Sequence, residues 1–386
     1  MIRRNKSILF FTIGVLLFVT VLWLWSNYKF NYYVYKARPY ITEEEWTTLI
    51  ENRIETDSKR RVYTWMIHMY PPEHNAGAEW MAHTMNTYLI REANARVNII
   101  LNKKTVDQYE RVKIISRKDK QGIQGALKDT NVLVSHLDME PNAVNTSLIV
   151  KKPLVLVMHN SFRMKYLKVF KEILGPNLYL VHNSKWIQEY YKPLGIPSIV
   201  VYPPVDWRDY SITSSRQYVS LINMNKNKGG EIFLKLMEAM PDIEFLGVKG
   251  AYDKQMIKQY KNLTLIDNTP HIKEVYSKTD ILVMPSKYES WGRTAVEAMS
   301  SGIPVIAHPT PGLKESCGDA GIFCDREDIQ AWIREIRRLK TDSAYYTKKS
   351  AACLARAKEL DPESQLADFS KWISKLEWKS NPLPPQ

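Results

Sequence analysis

Met284-Pro-Ser-Lys-Tyr-Glu-Ser-Trp-Gly-Arg-Thr-Ala-Val-Glu-Ala-Met299, continued by Ser301-Gly-Ile-Pro-Val-Ile-Ala307, reads as strand, loop, helix and strand. An apolar run ends at Met284, a loop carries Glu289, and the helical pattern starts near Gly292 and Arg293. The first turn of such a helix leaves N–H groups without intrahelical partners and presents the positive end of the helix dipole, which together favour a bound anion. Glu297 lies on the same helix between Val296 and Ala298, and a carboxylate among apolar neighbours needs a partner. Two readings stand side by side. In one, Glu289 caps the helix and Glu297 sits on the surface. In the other, both carboxylates face a ligand and accept hydrogen bonds from paired hydroxyls.

Outward from this stretch the chain alternates short β-branched runs with helical stretches, as parallel βαβ units do. The first half offers strands at 62–69, 97–101, 132–136, 154–159, 179–182 and 199–202, with helices at 77–93 and 185–194. Tyr202-Pro-Pro-Val-Asp206 breaks the pattern as a linker. The second half restarts it with strands at 218–223, 244–248, 263–266, 281–284, 304–307 and 321–324, and helices at 231–240, 293–300 and 329–339. Two such series predict an α/β protein of two facing, doubly wound, Rossmann-like domains, at 60–204 and 205–344, with a helical tail over 345–386. Ligands of open α/β sheets sit beyond the carboxyl ends of the strands, so the site is expected in the cleft between the domains.

The amino-terminal region is different. Residues 8–25 form an uncharged, mostly apolar run that nearly spans a hydrocarbon core at about 1.5 Å per residue. It ends in Trp23, Trp25 and Tyr28, residues suited to the membrane interface, rather than in a small-residue cleavage site. The expectation is a single transmembrane helix, a signal-anchor at 1–27, followed by a stem at 28–59 with one helix over 43–54. Basic residues flank the run on both sides, with a slight excess before it, which leans toward a type II single-pass orientation. That would be Golgi- or ER-like in a eukaryotic or viral source, with a cytoplasm-facing body left open. A net charge of +13 suits a solvated basic surface or one near anionic lipid or phosphorylated substrates. No basic run interleaved with aromatics suggests nucleic acid. Cys317, Cys324 and Cys353 give neither a metal-ligand spacing nor a disulfide framework. The sequons at Asn145 and Asn262 matter only if the body is lumenal.

The Glu289–Glu297 stretch resembles the Glu-x7-Glu motif of retaining family 4 glycosyltransferases, of the GT-B fold and the glycosyl transferases group 1. Lys228-Gly-Gly230 before it, and Pro311-Gly-Leu-Lys-Glu315 and Gly318-Asp-Ala-Gly321 after it, match in order. Asn75-Ala-Gly-Ala-Glu79 resembles the family's small-residue turn after the first strand. The resemblance covers most of residues 60–340 and is most specific over 218–325. It implies that Glu297 holds the ribose of a nucleotide-sugar and that Glu289 contacts the donor sugar. Backbone N–H groups around Gly292, Arg293 and Thr294 would reach donor oxygens, and Lys228 would pair with the diphosphate. The family places an arginine five residues before that lysine; here the position is Asn223, with Lys226 or Arg293 as compensating cations. Gly77 would let backbone approach the donor, or simply make a tight turn. His159, ending an apolar strand, resembles the family's active-site histidine; His136 is the second choice. His182 is read as structural, with Ser184 capping the next helix.

No cofactor is expected beyond the nucleotide-sugar co-substrate, and no metal is required: the chain has no Asp-x-Asp, and Asp325-Arg-Glu327 reads as a turn. The implied activity is transfer from a UDP- or GDP-sugar to a glycan, lipid or protein acceptor hydroxyl at the membrane, with retention of anomeric configuration. The rivals are a GT-B-like epimerase or phosphorylase, and an inactive nucleotide-sugar-binding protein.

Overall fold

A computed structural model describes residue 34 and residues 36–51, 60–251 and 253–380. The proposed anchor at 8–25 lies outside them. Among the described residues no helix is long and apolar enough to cross a membrane.

The first domain is built on eight strands: β1 (Val62–Met66), β2 (Arg96–Leu101), β3 (Gln108–Tyr109), β4 (Val112–Ser116), β5 (Val132–His136), β6 (Leu154–Met158), β7 (Leu178–His182) and β8 (Ser198–Val200). Their order is β3-β4-β2-β1-β5-β6-β7-β8, all parallel except β3. Near-continuous apolar runs such as Leu-Val-Leu-Val-Met in β6 fit burial on both faces. Alternate residues go to opposite faces. Tyr63, Trp65, Val97 and Val155 pack under the helix Gly77–Glu92, whereas Met66, Ile100, Leu133 and Leu156 pack under Lys120–Asp129, Glu140–Val150 and Met164–Leu174. The second domain has six parallel strands: β9 (Tyr218–Ile222), β10 (Phe245–Val248), β11 (Leu263–Ile266), β12 (Thr279–Met284), β13 (Val305–Ala307) and β14 (Ile322–Phe323), in the order β11-β10-β9-β12-β13-β14. Helices Gly230–Ala239 and Ile329–Thr341 cover one face; Arg293–Met299 and Pro311–Cys317 cover the other.

One feature departs from the sequence expectations and two extend them. The β3–β4 hairpin was not anticipated, because Lys113 interrupts the run at 112–116 and no helix separates it from β2. The stem is no free spacer over its described part. Ile41, Trp46 and Leu49 pack on the first domain, and the Asn145 side-chain amide donates to the carbonyls of Val34 and Ala37 at 3.1 and 2.7 Å. The tail is two helices, Ser343–Glu359 and Glu363–Ile373, broken at Asp361-Pro362. The former packs on the second domain, but the latter buries Leu366, Phe369 and Ile373 in the core of the first. The chain therefore passes between domains twice. Gln365 ties the two passages together, its Oε1 accepting from Tyr202 N at 2.8 Å.

Both sequon asparagines are committed to structure. Asn145 holds the segment that follows the proposed anchor, and the buried Asn262 donates to the carbonyls of Met237, Met240 and Ile243.

Candidate functional site

The carboxyl ends of both sheets face one cavity of about 730 Å³ between the domains. Two loops of the second domain form one wall. Lys228 sits between β9 and the helix Gly230–Ala239, its backbone N–H donating to Asn225 Oδ1 at 2.8 Å. Glu289 sits between β12 and the helix Arg293–Met299. Lys287 N donates to Asn227 O at 2.7 Å and ties the loops together. Their side chains meet: Glu289 Oε1 accepts from Lys228 Nζ at 2.5 Å and from Ser286 Oγ at 2.9 Å. Gly292, at the N-cap, has φ 106°, a conformation that glycine adopts without steric cost.

Glu297 is buried and lines the cavity, so the surface reading fails. The partners its burial demands are present: Tyr276 donates to Oε2 at 2.8 Å and Arg293 Nε to Oε1 at 2.6 Å. Burial, and then the Glu297 carboxylate, raise the Tyr276 hydroxyl well above its usual range, so it remains a donor. Arg293 also donates to Pro204 O at 2.8 Å and to Tyr210 at 3.1 Å, which connects this carboxylate to the interdomain linker.

The first domain supplies the opposite wall. His159, one residue beyond β6, lines the cavity, and its Nε2 lies 3.0 Å from Nδ1 of the buried His136 at the end of β5. The two histidines singled out separately form one unit. Burial lowers His159 to about 4, and burial followed by the His159 neighbour holds His136 well below its usual value. Both rings are therefore neutral near pH 7, one donating and the other accepting. Gly77 opens the helix Gly77–Glu92 on the cavity. Its φ is not positive, and a Cβ there would meet nothing within 4 Å, so neither a tight turn nor packing calls for glycine. The open space belongs to the cavity.

Some expectations are corrected. Ser184 occupies the N-cap position of the helix Lys185–Tyr191 but makes no capping bond. Glu315 of the second domain does so instead, accepting from Lys185 N at 2.7 Å and Trp186 N at 3.1 Å, because a carboxylate is the stronger acceptor. His182 stacks on Tyr191 away from the cavity lining. Lys226 is exposed and also outside that lining, whereas Arg293 lines the cavity and is engaged with Glu297. Asn223 does line the cavity, in a left-handed conformation (φ 72°) that asparagine tolerates, with its amide filling the space beside Gly250. The cations that sequence reasoning missed are Lys249 and Lys273. The rule that sites follow strands could have found Lys249, which comes directly after β10. Asp325 Oδ1 accepts from Glu327 N at 2.8 Å, the turn that was expected.

Polar contacts cross the cleft. Asn75 Nδ2 donates to Thr269 O at 2.8 Å, Asn183 Nδ2 to Ser290 Oγ at 2.7 Å, and Trp186 Nε1 to Ser290 O at 2.7 Å. The two walls are thus held face to face around a cavity that brings Gly77, His159, Asn223, Lys228, Glu289, Gly292, Arg293, Thr294 and Glu297 together.

Residues 211–360 match the glycosyl transferases group 1 family. This segment contains Lys228, Glu289, Arg293 and Glu297, whereas Gly77, His136 and His159 lie outside it. The chain is similar to curated proteins over short stretches. Identity is 34% over 90 residues to the O-antigen chain mannosyltransferase B of Escherichia coli, covering 23% of this chain and 24% of that protein. It is 37% over 70 residues to the D-inositol 3-phosphate glycosyltransferase of Corynebacterium urealyticum, covering 18% and 16%. The chain thus spans about a quarter or less of the length of these relatives. Among solved structures, the sucrose-phosphate synthase of Thermosynechococcus elongatus superposes with a TM-score of 0.66 at 16% identity, over 82% of this chain and 98% of that one. Anabaena Alr3699/HepE in complex with UDP-glucose superposes with a TM-score of 0.67 at 14% identity, over 82% and 100%. At these identities the likeness establishes the fold, and the fold is GT-B.

Proposed function

We propose that the protein is a retaining glycosyltransferase that binds a nucleotide-sugar in the interdomain cavity and transfers the sugar to an acceptor hydroxyl. The observation that carries this reading is the meeting of Lys228 with Glu289 beside the buried Glu297, across one cavity from Gly77 and His159. Glu297, held by Tyr276 and Arg293, keeps lone pairs for the two ribose hydroxyls. Lys228 neutralises charge on the departing diphosphate, and N–H groups at Gly292–Thr294 assist, so no metal is required. Glu289 both orients Lys228 and accepts from hydroxyls of the donor sugar. His159, neutral and steadied by His136, faces the anomeric end of the sugar. The acceptor oxygen attacks the anomeric carbon on the face from which the phosphate leaves; the carbon–oxygen bond to phosphate breaks, and the departing phosphate oxygen takes the acceptor's proton.

HepE, of the same fold, binds UDP-glucose, which makes UDP-sugars the first donors to try, with GDP-sugars next. Residues 8–25 are proposed to anchor the chain as a type II membrane protein, with a glycan, lipid or protein as acceptor.

The test is a panel of radiolabelled UDP- and GDP-sugars, incubated with and without an acceptor library, with the anomeric configuration of any product read by NMR. Label transferred with retained configuration supports the proposal. Epimerised donor without acceptor, or tight donor binding with no transfer to any acceptor, would replace it with one of the rival readings.

A further inference from the structure

A second cavity lies at the other end of the first domain. The cleft opens at the carboxyl ends of the strands; this one, of about 480 Å³, opens at the amino ends of β1, β2 and β4. Its charged lining is Arg60, Arg96, Arg111 and Lys113 against a single carboxylate, Asp129, which Arg96 engages at 2.9 Å. The side chains of Arg111 and Lys113 make no ion pair or hydrogen bond among the described residues.

The backbone adds an independent observation. Glu110 and Arg111 form the two-residue turn between β3 and β4, both with positive φ, at 45° and 69°. Turns of this kind are built from asparagine and glycine, because other side chains are strained there. Glu110 has a local reason for its place, since its carboxylate meets His83 Nε2 at 3.1 Å. Arg111 has none among the described residues. Strain retained at an exposed residue that lines a cavity rich in cations points to a ligand.

We infer that this cavity is a binding site for a phosphate-bearing anion. Several guanidinium and ammonium groups around a space of ligand size provide the forked and point-charge donors that phosphate oxygens take. Such an anion is either a soluble phosphate or the headgroup of an anionic lipid beside the proposed anchor. The site is separate from the cleft and does not depend on the activity assigned there.

The test uses the full-length chain in nanodiscs and follows amide hydrogen exchange over residues 94–98 and 108–113. Inorganic pyrophosphate added to phosphatidylcholine discs, or phosphatidylglycerol placed in the discs, is expected to slow exchange in these segments, and added salt to reverse the effect. Slowing by pyrophosphate identifies a soluble phosphate; slowing by phosphatidylglycerol alone identifies the headgroup. Arg111→Gly removes the guanidinium and relieves the turn. It is expected to raise Tm while raising the half-effective anion concentration by roughly tenfold or more. Lys113→Glu, at an exposed position, should abolish the response. The inference is overturned if neither anion slows exchange there at low salt, or if both variants respond as the wild type does.

Discussion

Glu297 and Lys228 carry different structural burdens, and this decides how each should be tested. Lys228 is partly exposed, but its partner Glu289 is buried and would lose its counter-charge, so Lys228→Ala should cost about 1–3 kcal/mol while removing turnover. Glu297 holds the guanidinium of Arg293 in a buried pair, and deleting one partner of such a pair costs about 3–5 kcal/mol. Alanine at 297 would therefore confuse loss of chemistry with loss of fold. Glu297→Gln keeps the volume and an acceptor oxygen, and it should lower kcat/KM by about a hundredfold or more with a smaller fall in stability; turnover assays paired with thermal unfolding separate the two effects. Wild-type kcat/KM in purified, folded Lys228→Ala or Glu297→Gln contradicts the assigned roles. Buried histidines contribute one sign to the pH response of stability, and the buried Glu140, raised to about 8, contributes the opposite sign below that value. Burial lowers His159 and His182 from 6.5 to about 4, so between those values the unfolded chain binds protons that the folded chain refuses. Their contribution is fully present above about pH 6.5 and is lost as pH falls toward about 4, with a slope of up to ~1.4 kcal/mol per pH unit for each. The difference in denaturant midpoint between wild type and His182→Gln at pH 7.5, 6 and 5 isolates the share of His182, and a difference independent of pH over that range would rule it out.

Helix ends and strands differ in how well they could be read. The strands of the second domain were legible within a residue or two, since uninterrupted β-branched runs such as Ile281-Leu-Val-Met284 have no other way to bury both faces. The turn that bears Glu289 and the helix that bears Glu297 were legible for the same reason, in that the spacing of loop, glycine and apolar face allows little else. Val112–Ser116 was not, because its one outward lysine breaks the run and its antiparallel partner is two residues long. Nor was the cap of Lys185–Tyr191, because a local serine satisfies the usual pattern while the acceptor actually used comes from 130 positions away. Glu315→Ala removes that cap and should cost about 1–2 kcal/mol in urea unfolding, with faster amide exchange at Lys185 and Trp186. Should those amides exchange as before, the cap is not what holds them.

At the scale of the whole molecule, the cleft depends on how two domains are joined, and this was the least legible part. The prolyl linker at 202–206 announced itself by composition, but the return passage at 360–362 did not. An amphipathic helix shows that it needs a surface, not which surface. Its side chains are nonetheless central to the first domain's packing. Phe369→Ala should destabilise by about 3–5 kcal/mol, as truncation of a buried aromatic does, and calorimetry should assign the loss to the first domain. An equal loss confined to the second domain would contradict the packing described. This route has a consequence for biosynthesis. Residues 60–200 leave the ribosome before the second domain, but the strip that closes their apolar face is encoded after all of that domain. The half made earliest thus stays incomplete longest, and during that interval it is the part of the nascent protein most in need of a chaperone.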